Sequence, residues 1–64
     1  MASHLALARR HVQKGREIVA RQRDLIARIR ALRADPARAE DLLGQFERTL
    51  RIFEDDLARL ELKQ

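Results

Sequence analysis

The sequence lacks cysteine, tryptophan and tyrosine, and its 64 residues include one proline, two glycines and two phenylalanines. Without cysteine, no disulfide or thiolate metal site can support the fold. A chain of this length forms at most one domain, and it buries only ~60% of its unfolded surface on folding. So few turn-forming residues exclude a multi-stranded sheet. The sequence also has no apolar run of the ~20 residues that cross a membrane and no secretory leader pattern, so we expect a cytoplasmic helical protein.

What the sequence does have is a seven-residue repeat, labelled a to g with Leu5 at position a. In the first half, the a positions include Leu5, Val12, Val19 and Ile26. The d positions are Ala8, Gly15, Gln22 and Ile29. The g positions are His4, His11, Ile18, Leu25 and Leu32. In the second half, the a positions are Leu43, Leu50 and Leu57, and the d positions are Ala39, Phe46, Phe53 and Leu60. The phase changes by three residues across Ala34-Asp35-Pro36, which indicates two amphipathic helices with a break between them.

The break predicts an all-α fold, in which residues 1–64 form one antiparallel, coiled-coil-like hairpin. Ser3 is a suitable N-cap for the first helix, and Asp35 followed by Pro36 is a typical helix start. We expect helix 1 at about 3–33, a turn at 34–35 and helix 2 at about 36–62. The alternative is one long helix kinked at Pro36, or a coiled coil with a three-residue stammer.

Two charged columns support the hairpin. The e positions of helix 1 are Arg9, Arg16, Arg23 and Arg30, and those of helix 2 are Glu40, Glu47, Glu54 and Glu61. Folding about residues 35–36 pairs Arg30 with Glu40, Arg23 with Glu47, Arg16 with Glu54 and Arg9 with Glu61. The same register places Ile29 opposite Leu43, Ile26 opposite Phe46, Val19 opposite Phe53 and Val12 opposite Leu60. An exposed ion pair is worth only ~0–1 kcal/mol, so the columns are expected to select the register more than to hold the hairpin together.

Two polar or small residues interrupt the d column of helix 1. Gly15 costs ~1 kcal/mol in a helix relative to alanine, and we expect it to admit a bulky neighbour such as Leu57. Gln22, opposite Leu50, has two open interpretations. It is either a buried polar residue that fixes the register or a residue at the edge of the seam that reaches water.

One partner helix can cover the a and d positions but not the g positions as well. The residues Ile18, Leu25, Leu32 and Leu42 would then form an exposed apolar strip, which is typical of an interface. Hairpins bury such a strip by pairing into four-helix bundles. We therefore expect a homodimer that packs through these residues, and docking on a larger protein is the competing arrangement.

A basic column lies beside this strip, at Lys14, Arg21 and Arg28. Together with a pI near 11, it is the electrostatic pattern of a phosphate-binding surface. The chain has no exposed aromatic residues interleaved for base stacking, so a solvated rim around an apolar interface is the simpler interpretation. A non-enzymatic helical interaction or assembly module is thus the primary expectation, and a small nucleic-acid-binding protein is the alternative.

Catalysis, cofactors and metals have little support in the sequence. No glycine-rich phosphate loop is present. His4 and His11 are seven residues apart, about 10.5 Å along a helix, so they cannot bind one metal ion within a monomer. We expect these two histidines to end the apolar g column at the open end of the hairpin.

The stretches HLALARRHVQKGREIVARQRDLI and DLLGQFERTL resemble a group of small uncharacterised bacterial proteins, mostly alphaproteobacterial. The shared pattern falls on His4, His11-Val12, Gly15, residues 20–23, and then Leu42-Leu43 and Phe46-Glu47. The turn departs from that group, which often has a loop with glycine and aspartate where this chain has Ala34-Asp35-Pro36. The resemblance implies a helical hairpin and no activity.

Overall fold

A computed structural model describes residues 3–63 and is all-helical over that range, with no strand. Helix α1 spans His4–Ala31, helix α2 spans Ala37–Leu62, and the two helices pack against each other. The predicted two-helix hairpin is therefore confirmed, and the alternative of one long kinked helix is wrong. The hairpin is a rod of 49 × 18 × 14 Å.

Both helices begin with a capped amide. The Ser3 hydroxyl accepts a hydrogen bond from the Ala6 amide at 3.1 Å, as the sequence predicted. The Asp35 carboxylate accepts one from the Ala37 amide at 3.0 Å. Helix α2 begins at Ala37, one residue later than predicted, while the Pro36 carbonyl accepts the first intrahelical bond from Glu40. Each cap satisfies a first-turn amide that has no partner inside the helix.

Helix α1 ends two residues earlier than predicted, because the chain reverses at Arg33. Arg33 has a positive φ of 57°. Its amide donates to the Arg30 carbonyl, and the Ala34 amide donates to the Ile29 carbonyl. These two bonds are the Schellman motif, in which a left-handed residue closes the helix, and glycine usually occupies that position. The motif turns the chain toward α2 within five residues.

Three of the four predicted ion pairs link the helices. Arg30 binds Glu40 at 2.8 Å, Arg23 binds Glu47 at 2.9 Å and Arg16 binds Glu54 at 3.2 Å. The fourth pair, Arg9 with Glu61, does not form within 4.0 Å, although both residues belong to the described range. The e columns of the two helices therefore face each other on one side of the hairpin, which we call the e side. The g columns lie on the other side, the g side.

Two core contacts differ from the prediction. A Cβ atom at Gly15 would lie 3.0 Å from Leu50 Cδ1, so Gly15 admits Leu50 and not Leu57. The ring of Phe53, which the sequence placed opposite Val19, lies 5.0 Å from the ring of His11, the residue before Val12. Leu50 and Leu57 occupy the same heptad position, so the apolar pattern alone cannot say which of them meets Gly15. The three ion pairs keep the predicted charge register.

Candidate protein-protein interface

The four residues predicted to form the apolar strip are all exposed on the hairpin. Ile18, Leu25 and Leu42 are 36%, 42% and 42% exposed, and Leu32, at the end of α1, is 80% exposed. Partial exposure of the first three means that each rests on the hairpin along one flank and presents the other flank to solvent. The strip is thus a continuation of the core and not a set of isolated surface residues.

An apolar groove runs between the helices on the g side. Its volume is about 130 Å³, and it is lined by His11, Lys14, Gly15, Ile18, Phe46, Thr49, Leu50 and Phe53. The sequence placed Phe46 and Phe53 in the core at d positions, but both rings are only half-buried. Gly15 and Leu50 line this groove together, since the missing side chain lets Leu50 approach α1. Sequence reasoning therefore missed the two rings as members of the candidate interface.

The core of the hairpin is open. The buried residues are Ala8, Val12, Val19, Gln22 and Ile26 on α1 and Ala39 on α2. The large apolar residues at the a and d positions of α2 are half-buried: Leu43, Phe46, Leu50, Phe53, Leu57 and Leu60. In the described range, no side chain is less than 2% exposed. One layer of two helices cannot enclose a core, so these apolar side chains stay partly exposed in the hairpin.

Gln22 is buried and hydrogen-bonded, which decides between its two interpretations. Its side chain is 9% exposed, and its Nε2 donates to the Ala39 carbonyl at 2.9 Å. A buried amide without a partner would cost about 1–3 kcal/mol, so this bond disfavours any register that moves Ala39 away. Gln22 positions the apolar face of α2 but does not belong to the g side itself.

The predicted basic column is exposed beside the strip. Lys14, Arg21 and Arg28 are exposed and form no ion pair within residues 3–63. Glu17 and Asp24 lie four residues before Arg21 and Arg28, a spacing that brings opposite charges close on a helix surface. The two carboxylates reduce the positive potential along the column.

The two histidines lie on the g side. His11 lines the groove and packs against Phe53, with the rings tilted by 38°. His4 lies at the first residue of α1, beside a second hollow at the open end of the hairpin. Within residues 3–63, no group of three histidine or acidic side chains is arranged to hold a metal ion.

These features define a class of structure: a helical hairpin with ion pairs between the helices on its e side and exposed apolar side chains on its g side. Neither helix in the described range has the length and apolarity needed to cross a membrane. Comparisons of the chain with protein-family models, curated proteins and solved structures found no match. The resemblance to small bacterial hairpin proteins stays a prediction.

Proposed function

We propose that this protein is a non-enzymatic, cytoplasmic helical interaction module, and that its g side packs against the g side of a second copy to form a four-helix bundle. The main observation behind this proposal is that the apolar core side chains of the hairpin are only partly buried. The strip Ile18, Leu25 and Leu42 and the half-buried rings of Phe46 and Phe53 are partly exposed on the g side. A second hairpin supplies the missing layer.

The energy available from covering the strip supports this arrangement. Full burial of a leucine or isoleucine side chain is worth about 1.5–3 kcal/mol. Ile18, Leu25 and Leu42 are already partly covered, so each gains roughly a third to a half of that amount. A symmetric dimer buries two copies of the strip and of the rings of Phe46 and Phe53. The gain is large beside the ~3–5 kcal/mol that a core of this size supplies alone.

A second copy suits the surface better than an unrelated protein, because a two-fold interface needs only one self-complementary patch. The groove and the strip follow the length of α1 and are matched by the rod shape of another hairpin. Lys14, Arg21 and Arg28 would lie at the rim of such a bundle, where they stay hydrated.

Oligomeric state tests the proposal. In sedimentation equilibrium at micromolar concentration, we expect the unaltered protein to be a dimer whose thermal stability rises with concentration. Replacing Ile18→Lys and Leu25→Lys should give a monomer or an unfolded chain, because two charges would enter the interface. The matched control is Ala20→Lys with Ala27→Lys, which adds the same charges to exposed positions of α1 away from the g side. A stable, folded monomer of the unaltered protein would contradict the proposal.

Nucleic-acid binding is a second candidate function, supported by the exposure of Lys14, Arg21 and Arg28 and their lack of ion pairs in the described range. Glu17 and Asp24 weigh against it. Binding of duplex DNA or RNA should weaken steeply as salt rises, and changing the three residues to glutamine should reduce the logarithmic salt slope by about 2–3. The control changes Arg10, Arg48 and Arg51 to glutamine. Absence of binding at low salt would remove this candidate.

A further inference from the structure

Both histidines of the chain lie on the face proposed for dimerisation, and no cysteine is present. Histidine is the side chain that ordinarily changes charge between pH 5 and 8. His11 lies between the apolar groove and the hollow at the open end, with its ring 5.0 Å from the ring of Phe53 and with Ile18 and Phe46 lining the same groove. A second copy that covers this groove must also cover the imidazole.

The charged groups around His11 are mostly cations. On α1, Lys14 shares its groove and His4 lies one heptad before it. On α2, Asp56, Arg59 and Lys63 line the hollow at the open end together with His11. The Asp56 carboxylate already accepts a hydrogen bond from Arg59, so the acid that lines this hollow is paired with a cation.

Cations also outnumber acids over the whole g side. The c and g columns of the two helices carry the cations Lys14, Arg21, Arg28, Arg38, Arg59 and Lys63 and a single acid, Asp56. The carboxylates of the e columns lie on the opposite side, where three of them bind arginines. Glu17 and Asp24 lie at the outer edge of these columns and offset part of this charge. A second copy brings the same set of charges, so the c and g columns around a protonated His11 carry more cations than anions.

We propose that protonation of His11 dissociates the dimer, so that acidification weakens the assembly of this protein. The inference depends on the proposed dimer. Neutral imidazole packs on Phe53 and is covered by the second copy at little cost. Imidazolium must lose its hydration on entering an apolar interface, and it gains no carboxylate in return. Each dimer carries two such residues, which doubles the effect.

The test is the dissociation constant of the dimer at pH 7.0 and pH 5.0, measured by sedimentation equilibrium at constant ionic strength. We expect the Kd of the unaltered protein to rise about tenfold or more on acidification. His11→Gln should keep the same Kd at both pH values, because glutamine does not titrate. His4→Gln, at the end of the helix, is the matched control and should keep most of the pH dependence.

Circular dichroism at both pH values distinguishes dissociation from unfolding, since a dissociated hairpin that is still folded keeps its helical signal. If His11→Gln fails to dimerise at pH 7.0, His11→Leu removes the same titration while keeping the groove apolar. An unchanged or lower Kd at pH 5.0, or a pH dependence that survives in His11→Gln or His11→Leu, would overturn the inference and leave the dimer standing. A monomer at pH 7.0 would overturn the dimer and the inference together.

Discussion

At the scale of single residues, Arg33 holds a backbone conformation that suits glycine better. Its φ of 57° closes the Schellman motif, and a Cβ atom makes that region unfavourable by ~1–2 kcal/mol. Arg33→Gly should therefore raise the free energy of unfolding by about 0.5–1 kcal/mol, the gain being reduced by the greater freedom of glycine in the unfolded chain. Denaturant titration at one fixed protein concentration measures the difference.

Arg33→Ala is the control for that substitution, because it removes the guanidinium but keeps the Cβ atom. Its stability should stay within about 0.5 kcal/mol of the unaltered protein, as is usual for a surface substitution. Equal stability of the glycine and alanine variants would show that the left-handed backbone is not a source of instability.

Gln22 illustrates why some residues cannot be assigned from sequence. Its d position allowed both a buried role and an edge role, and the choice depended on what stood opposite. The observed register places the Ala39 carbonyl within reach of Nε2, at 2.9 Å. Alanine leaves the backbone of α2 accessible where the predicted neighbour, Leu50, would have covered it. A main-chain acceptor of this kind has no signature in the residue pattern.

At the scale of the two helices, the ion-pair columns select the register by geometry more than by strength. The paired side chains are 42–66% exposed, so each pair contributes little. Reversing one charge, as in Glu47→Arg, should lower the free energy of unfolding by about 0.5–1 kcal/mol, because it places like charges against each other. Adding Arg23→Glu should recover most of that loss. A double-mutant cycle on the two positions measures the coupling.

The matched cycle uses Arg9→Glu with Glu61→Arg, whose side chains form no ion pair in the structure. Its coupling energy should be close to zero. If both couplings were close to zero, the ion pair between Arg23 and Glu47 would have no energetic role. If both were large, the pair at the open end would form in solution as well.

The heptad pattern predicted the helices, the direction of packing and three cross-helix ion pairs, because each depends on residue type at a fixed spacing. It failed for the neighbour of Gly15, since Leu50 and Leu57 are identical to a pattern with a period of seven. It also failed for the end of α1, where Arg33 adopts a left-handed conformation. Left-handed arginine is uncommon, so the residue itself gave no sign of the turn.

At the scale of the whole molecule, exposure of the g side could be predicted from the apolar stripe of α1. That stripe covers the g, a and d positions, which is wider than one partner helix can cover. Ile18, Leu25, Leu32 and Leu42 are exposed as that width required. The half-burial of Phe46 and Phe53 could not be predicted, because the residue pattern places d positions toward the partner helix and does not say how completely that helix covers them. The candidate interface is therefore more aromatic than the g column suggests.

The ion pairs lead us to expect an order of events in folding. The residues of the three pairs are 10, 24 and 38 positions apart, so each pair farther from the turn closes a longer stretch of chain. The entropy cost of closure grows with that length, though slowly, and the pair nearest the turn forms at the lowest cost. Arg9 and Glu61, which would be next, form no ion pair in the described range. We therefore expect the two helices to associate from the turn outward and to separate first at the end farthest from Arg33.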